Sequence, residues 1–341
     1  MISRPLLATA IALLGAKVVY GQPAGTPPPL VAPGRLVDIG GWRLHIDCTG
    51  AATPQQPTVI LEAGIGDFSV EWSLVQPSVA KTTRVCSYDR ADDGWSDYGP
   101  SPRTMHQIVY ELHTLLAKAG ERPPYVLVGH SYGGWLVRLY TALYPSEVSG
   151  MVLVEAGSDD PVRVLGDGKP RRSSELVTGK PIPAVKTANP VIESAIPPEI
   201  MAQLQGAARQ LGPRANEPPR DKLPADAQRM RTWAYSQPKH WAQADNPVEP
   251  EELAGLRAER AKSQYPYGDM PLIVLTRGIS DETGPDSKAF EKEHRDDHTA
   301  LAKLSRNGKL IVAERSGHHV QIDEPEVVIS AIREVVAAAR R

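Results

Sequence analysis

Hydrophobic residues along the 341-residue chain fall into two alternating kinds of run. Short, nearly continuous apolar stretches occur at 58–62, 84–89, 125–129, 151–155, 271–276 and 309–313, with the length and composition of strands buried on both faces. Between them apolar residues recur at helical spacing. Ile108, Leu112, Leu115 and Leu116 share one face of a helix over 104–119 that Gly120 ends, and Trp135, Leu136, Leu139, Tyr140 and Leu143 share another. A further helix is predicted near 69–80, a charged one after 276, and a last one carries Val328, Ile332 and Val335 on one face. Two strand-like segments at 35–39 and 43–48, turning at Gly40-Gly41, read as an N-terminal hairpin. This alternation predicts an α/β fold with a mostly parallel sheet covered by helices on both faces.

The alternation lapses over 156–270, where prolines are dense and only helical fragments appear, near 199–211, 225–235 and 250–262. Both ends of this stretch join the sheet's repeat, so it reads as a cap inserted into one core made of 35–155 and 271–341. Trp233, Tyr235 and Trp241 within it read chiefly as residues that hold the cap together, with an acyl or aromatic pocket as the other reading. At the N-terminus Arg4 precedes an apolar stretch too short to span a bilayer, and Val19-Tyr20-Gly21 offers a cleavage site before Gln22. Residues 1–21 are therefore expected to be a signal peptide for export, with Lys17 leaving an uncleaved interfacial anchor as the alternative. Residues 22–34, with five prolines, read as an extended tether.

Thirty-two prolines favour rigid turns over a helical bundle. A formal net charge of -2 with both signs interspersed gives no reason to expect nucleic acid or an anionic membrane as partner, and a small, largely uncharged substrate fits better. Oligomeric state is not encoded in any pattern found here. Cys48 and Cys86, the only cysteines, each lie in a strand-like segment, and either a disulfide or two buried thiols is compatible with that placement.

The chemistry concentrates at Gly129-His130-Ser131-Tyr132-Gly133-Gly134, where a strand turns into a helix. Small residues on either side of Ser131 let strand and helix approach, which holds the hydroxyl upright at the bend and brings the N–H of Tyr132 beneath it. A serine hydroxyl needs a base, and His318 follows the last strand in Ser316-Gly317-His318-His319; the neighbouring His319 should diverge from it. Two carboxylates can orient that base. Asp281 stands a short turn past the strand at 271–276, and Glu155 ends the strand at 151–155. The turn Ala63-Gly64-Ile65-Gly66 supplies a second backbone donor, best assigned to Ile65. His294 and His298 lie four apart, but the charged residues between them predict a solvated helix face and no metal site.

Several of these stretches together resemble the α/β-hydrolase superfamily, in particular serine esterases, lipases and peptidase-like members with a cap insertion. Ala63-Gly64-Ile65-Gly66 is similar to the family's histidine-glycine oxyanion turn, with alanine in place of the histidine. The run from Tyr88 to Ser96 resembles an Asp-x-Arg-Gly-x-Gly-x-Ser loop in which Asp92 takes a glycine position. Gly129 to Gly134 is similar to the nucleophile elbow, and Ser316-Gly317-His318 to the catalytic histidine loop. The resemblance covers 35–155 and 271–340 and leaves the insertion out. It implies a sheet of about eight strands, an acyl-enzyme mechanism without cofactor, an acid that usually follows the seventh strand and so favours Asp281 over Glu155, and second and fourth strands close enough to bridge Cys48 and Cys86. The serine at 131 departs from dehalogenases and epoxide hydrolases of this fold, which use an aspartate. The expectation is an exported serine hydrolase acting on a small carboxylic ester; an iminopeptidase-like amidase and a binding module without turnover are the alternatives.

Overall fold

The computed structural model describes residues 30–53, 56–164, 169–188, 196–242, 246–280 and 287–339. Its strands are β1 (Arg35–Asp38), β2 (Arg43–Thr49), β3 (Thr58–Glu62), β4 (Val85–Tyr88), β5 (Tyr125–His130), β6 (Val148–Val154), β7 (Val162–Val164), β8 (Pro170–Arg172), β9 (Leu272–Arg277) and β10 (Gly308–Ala313). Eight of them form one sheet in the order β1-β2-β4-β3-β5-β6-β9-β10. β2 is antiparallel to both its neighbours, and every other pair is parallel. The helices are α1 (Gln76–Val79), α2 (Met105–Ala119), α3 (Tyr132–Leu143), α4 (Pro198–Leu211), α5 (Ala225–Tyr235), α6 (Glu249–Ala261), α7 (Ser287–Ala302), α8 (Val320–Asp323) and α9 (Pro325–Ala339).

Period-two alternation along the central strands divides the core. Leu127, Leu153 and Val274 point to the face covered by α2 and α3, where Leu112, Leu115, Leu136 and Tyr140 meet them. Val126, Val152 and Ile273, one residue away in each strand, point to the opposite face and pack on Val328, Ile332 and Val335 of α9. Burial on both faces explains why these strands read as unbroken apolar runs. The helix predicted near 69–80 is instead a 3-10 turn at Ser69–Trp72 followed by the single turn α1. Pro77, at the start of α1, has no N–H to continue a helix from the preceding turn. In the stretch where only helical fragments were read, β7 and β8 pair as a short antiparallel hairpin whose three-residue strands carry no apolar run to betray them.

 Residues 30–34, read as part of an extended segment, lie against the body: Leu30 and Ala32 pack beside Trp95 and Trp233, and the indole N–H of Trp95 donates to the Leu30 carbonyl at 2.9 Å. The rest of that segment and the expected signal peptide at 1–21 lie outside the described residues. Among the described residues no helix is long and apolar enough to cross a membrane.

Cys48 and Cys86 stand directly opposite each other in the β2–β4 pair and are joined as a disulfide, with a Cα–Cα separation of 4.0 Å. The bridge closes a loop with a sequence separation of 38. Loop-closure entropy puts its contribution at about 4 kcal/mol, so the Cys48→Ala/Cys86→Ala double variant is expected to unfold in urea with a free energy lower by about that amount. An unchanged midpoint and slope would show that the crosslink adds nothing.

Candidate active site

β5 runs into α3 through Ser131, which takes φ 52° and ψ -117°. A non-glycine residue rarely adopts a positive φ, and here hydrogen bonds on both sides enforce it. The Ser131 N–H donates to Val154 O at 3.0 Å, and its carbonyl accepts from the N–H groups of Gly134 and Gly157 at 2.9 and 3.2 Å. A Cβ on Gly129 would stand 2.5 Å from Gly133 O, and one on Gly133 would stand 2.7 Å from Ala63 O. Glycine on either side of the serine is therefore a steric requirement of the bend. Tyr132 is the first residue of α3, so its N–H has no carbonyl one turn back to bond.

His318 reaches the same sheet edge on the loop after β10. Its Nδ1 lies 3.3 Å from Glu155 Oε2, and its carbonyl accepts from His130 Nε2 at 2.9 Å. His130 Nδ1 faces Gln321 Nε2 at 3.3 Å, so the residue before the serine ties down the histidine loop. His319 turns its ring toward His130, with centroids 5.2 Å apart, and starts α8. Glu155 follows β6 with φ 46° and is buried. Its Oε1 accepts from the Arg277 N–H at 2.6 Å and lies 3.1 Å from His294 Nε2; Oε2 lies 3.2 Å from Arg277 Nη1. Burial opposes its ionisation, but the contacts from His294 and His318 and the charge of His298 outweigh it and hold the carboxyl well below its ordinary range. Asp281 lies outside the described residues.

The turn at 63–66 folds over the serine. Asp67 N–H closes it onto Gly64 O at 3.2 Å, with Gly66 at φ 70°, and a Cβ on Gly64 would come within 3.4 Å of the Ser131 Cβ. Arg90, buried, fixes its carbonyls: Nη1 donates to Ala63 O and Glu62 Oε1 at 2.8 and 2.7 Å, and Nη2 donates to Gly64 O and Asp67 O at 2.5 and 3.1 Å. Ile65 and Tyr132 line one small cavity of about 80 Å³ together with Arg90, Arg103, Asn246 and Glu249. Asp92, at the glycine position of the neighbouring loop, adopts φ 76°, which glycine would take without strain. Its carboxylate accepts from the Gly99 N–H at 3.1 Å and pairs with Arg103 at 3.3 Å, which offsets the cost.

Residues from the insertion secure this turn. Arg231 on α5 pairs with Asp67 at 3.3 Å and with Glu71, and the Tyr235 hydroxyl donates to Gly66 O at 3.0 Å. Trp233 stacks on Trp95 with centroids 5.3 Å apart, and the Trp241 indole donates to Tyr235 O. Trp233 and Tyr235 thus tie the insertion to the core, and Trp241 braces the insertion internally. The α7 face read as solvated is not so at its histidines: His298 is buried, with Nε2 donating to Ala156 O at 2.9 Å, and His294 reaches Glu155. Helical spacing had placed His294 and His298 on one face but could not say that the face turns inward against β6 and β9.

Besides the disulfide-bonded Cys48 and Cys86 with Glu121, two groups among the described residues bring three potential metal donors within 4.8 Å of one another, Glu155/His294/His298 and Asp67/His130/His319. In each, a guanidinium already pairs with the carboxylate, Arg277 in the first and Arg220 and Arg231 in the second, and this opposes a further cation. Burial also depresses the imidazoles, His130 to about 3 and His298 to about 4. Their ring resonances in NMR are therefore expected to stay flat as the pH falls from 8 to 5.5, with the nitrogens keeping the carbonyl bonds described above. Titration of either ring near the usual value of about 6.5 would contradict this packing.

The sheet order, the antiparallel second strand and the strained bend at position 131 define an α/β hydrolase. The chain belongs to the alpha/beta hydrolase family, whose profile matches residues 59–331. It is similar to an AB hydrolase superfamily protein of Gibberella zeae, 25% identical over 304 residues, which cover 84% of this chain and 88% of that one. Among solved structures it is similar to a thermophilic esterase from Thermogutta terrifontis, at a TM-score of 0.58 and 17% identity over 91% of this chain and 100% of the other. The enol-lactonase from Burkholderia xenovorans LB400 superimposes with a TM-score of 0.59 at 14% identity, over 89% of this chain and 100% of that one. At such identities the solved structures speak for the shared fold, and the family is one of hydrolases.

Proposed function

We propose that this protein is an exported serine hydrolase that cleaves small carboxylic esters through an acyl-enzyme. The observation that carries the reading is the contact of His318 with the buried Glu155 carboxylate, at the sheet edge where Ser131 is held at a positive φ. His318 takes the Ser131 proton as Oγ attacks the ester carbonyl, and the N–H groups of Tyr132 and Ile65 receive the developing oxyanion. The protonated imidazole, steadied by Glu155 at Nδ1, then gives its proton to the departing alcohol. Water repeats the sequence on the acyl-enzyme and releases the acid. Glu155 takes the place of orienting acid in this account; Asp281 is the competing assignment. Export is supported by the Cys48–Cys86 disulfide, since such bonds persist in oxidising compartments.

A fluorophosphonate probe tests the reading. Stoichiometric capture at Ser131, absent in Ser131→Ala, is the expected result, and a folded protein that stays unlabelled would refute it. The small cavity of about 80 Å³ beside Tyr132 and Ile65 favours a short acyl group in this reading. Rates with p-nitrophenyl esters should accordingly fall at least tenfold from butyrate to octanoate, and should exceed those with aminoacyl-naphthylamides.

A further inference from the structure

Ile65, whose N–H the proposed mechanism assigns to the oxyanion, has little of its own to hold it in place. Its side chain is 63% exposed, its N–H makes no hydrogen bond among the described residues, and a glycine stands on either side of it. Gly66 takes φ 70°, and a Cβ there would meet nothing within 4 Å, so no packing on that side braces the turn. The aim of the N–H therefore depends on the carbonyls before and after it. A peptide unit is planar, so the Ile65 N–H points opposite to Gly64 O, which Arg90 Nη2 holds from the core at 2.5 Å. The second anchor is Gly66 O, and the Tyr235 hydroxyl holds it from the insertion at 3.0 Å.

Tyr235 is itself prearranged. Arg231 Nη2 donates to its oxygen at 2.8 Å, and because a guanidinium can only donate, the phenolic hydrogen is left for Gly66 O. Burial pushes the phenol up to about 12, so it stays protonated through the neutral range. Arg231 is buried and held in turn: Nε donates to Ala215 O at 2.9 Å, and Nη1 pairs with Asp67 at 3.3 Å and also with Glu71. A chain of contacts thus leaves the core at Asp67 and Glu71, just after the turn, passes through Arg231 and Tyr235 of α5, and returns to the turn at Gly66.

We propose that Tyr235, oriented by Arg231, is a positioning residue that the insertion contributes to the reaction: by holding Gly66 O it keeps the Ile65 N–H aimed at the carbonyl oxygen of the group that Ser131 attacks. The inference rests on the ester-hydrolase reading and deepens it, since the insertion then acts on the chemical step itself. Neither Tyr235 nor Arg231 touches the reacting atoms. Loss of the phenolic hydroxyl frees the segment from Gly64 to Gly66 to rotate about its glycines, which weakens the oxyanion contact in the transition state and leaves ground-state binding as it was.

Tyr235→Phe tests the proposal, because it removes one hydroxyl and keeps the ring contacts with Arg231 and His240. With p-nitrophenyl butyrate, kcat is expected to fall about tenfold while KM stays within about twofold. Affinity for a butyl trifluoromethyl ketone, whose adduct with Ser131 carries the oxyanion, should fall about as much as kcat, and fluorophosphonate capture of Ser131 should still go to completion. Asn216→Ala is the structural control. It removes hydrogen bonds to Gln228 O and Thr232 Oγ1 of α5 at 3.1 and 2.9 Å, neither of which belongs to the turn, and should lower the melting temperature with kcat unchanged. Wild-type kcat and ketone affinity in Tyr235→Phe would overturn the proposal, and so would a loss of kcat in Asn216→Ala equal to that in Tyr235→Phe. A folded wild type inert to both the butyrate ester and the fluorophosphonate would instead remove the ester-hydrolase reading, and the positioning role with it.

Discussion

Ser131→Ala is expected to lower kcat for p-nitrophenyl butyrate about a millionfold, close to 8 kcal/mol of lost transition-state stabilisation. The size follows from the proposed mechanism, in which Oγ is the atom that forms the acyl-enzyme and no neighbouring group can replace it. His318→Ala should cost nearly as much, and the double variant no more than either single one, because each group is useless without the other. Initial rates on protein free of wild-type contamination check this. More than one per cent residual turnover in Ser131→Ala would remove the serine from the mechanism. Additive losses in the double variant would show that the two residues act separately.

The second large effect concerns the acid. Glu155→Gln is expected to lower kcat about ten-thousandfold, while Asp281→Asn stays within about tenfold of the wild type. An amide of the same shape keeps the side chain in place but removes the anion that holds His318 through Nδ1. It also takes from Arg277 one of its two carboxylate partners, Glu291 remaining at 2.7 Å, so a loss of about 1–3 kcal/mol in stability is expected. The two effects separate by pH. Glu155 titrates in the folded protein well below its ordinary value of 4.5, so its stabilisation is present above that pH and fades as the pH falls through the depressed folded value. Unfolding of the glutamine variant should lack this component of the acid slope. The reverse ranking of the two variants would assign the acid to Asp281, and equal, mild losses from both would discard the two-candidate account.

Much of this site can be read from residue types and spacing. Gly129 and Gly133 around Ser131 report a close strand–helix approach, because a Cβ at either position meets backbone at less than 3 Å. His318 stands in a loop directly after the last strand of a parallel sheet, where strand direction alone delivers loops to one edge. The carboxylates were harder. Glu155 and Asp281 each follow a strand whose carboxyl end lies at that edge, and position along the chain does not distinguish them. What bears on the choice is the positive φ of Glu155, which turns its side chain under His318, and the inward face of α7 that brings His294 beside it. Arg90 was visible only as part of a loop pattern. That its guanidinium gathers three carbonyls of the turn over the serine depends on contacts between segments more than twenty residues apart.

By itself the sequence determined the alternation of strands and helices, the mostly parallel core with its N-terminal hairpin, and the serine bend, because these follow from local sterics and from the period of apolar residues. Only the tertiary structure decided that Glu155 faces His318 and that the insertion is pinned to the turn over Ser131 through Asp67 and Glu71. Those outcomes are set by which side chains from distant segments must share a charge or a hydrogen bond once water is excluded. No periodicity in a single chain records such a balance.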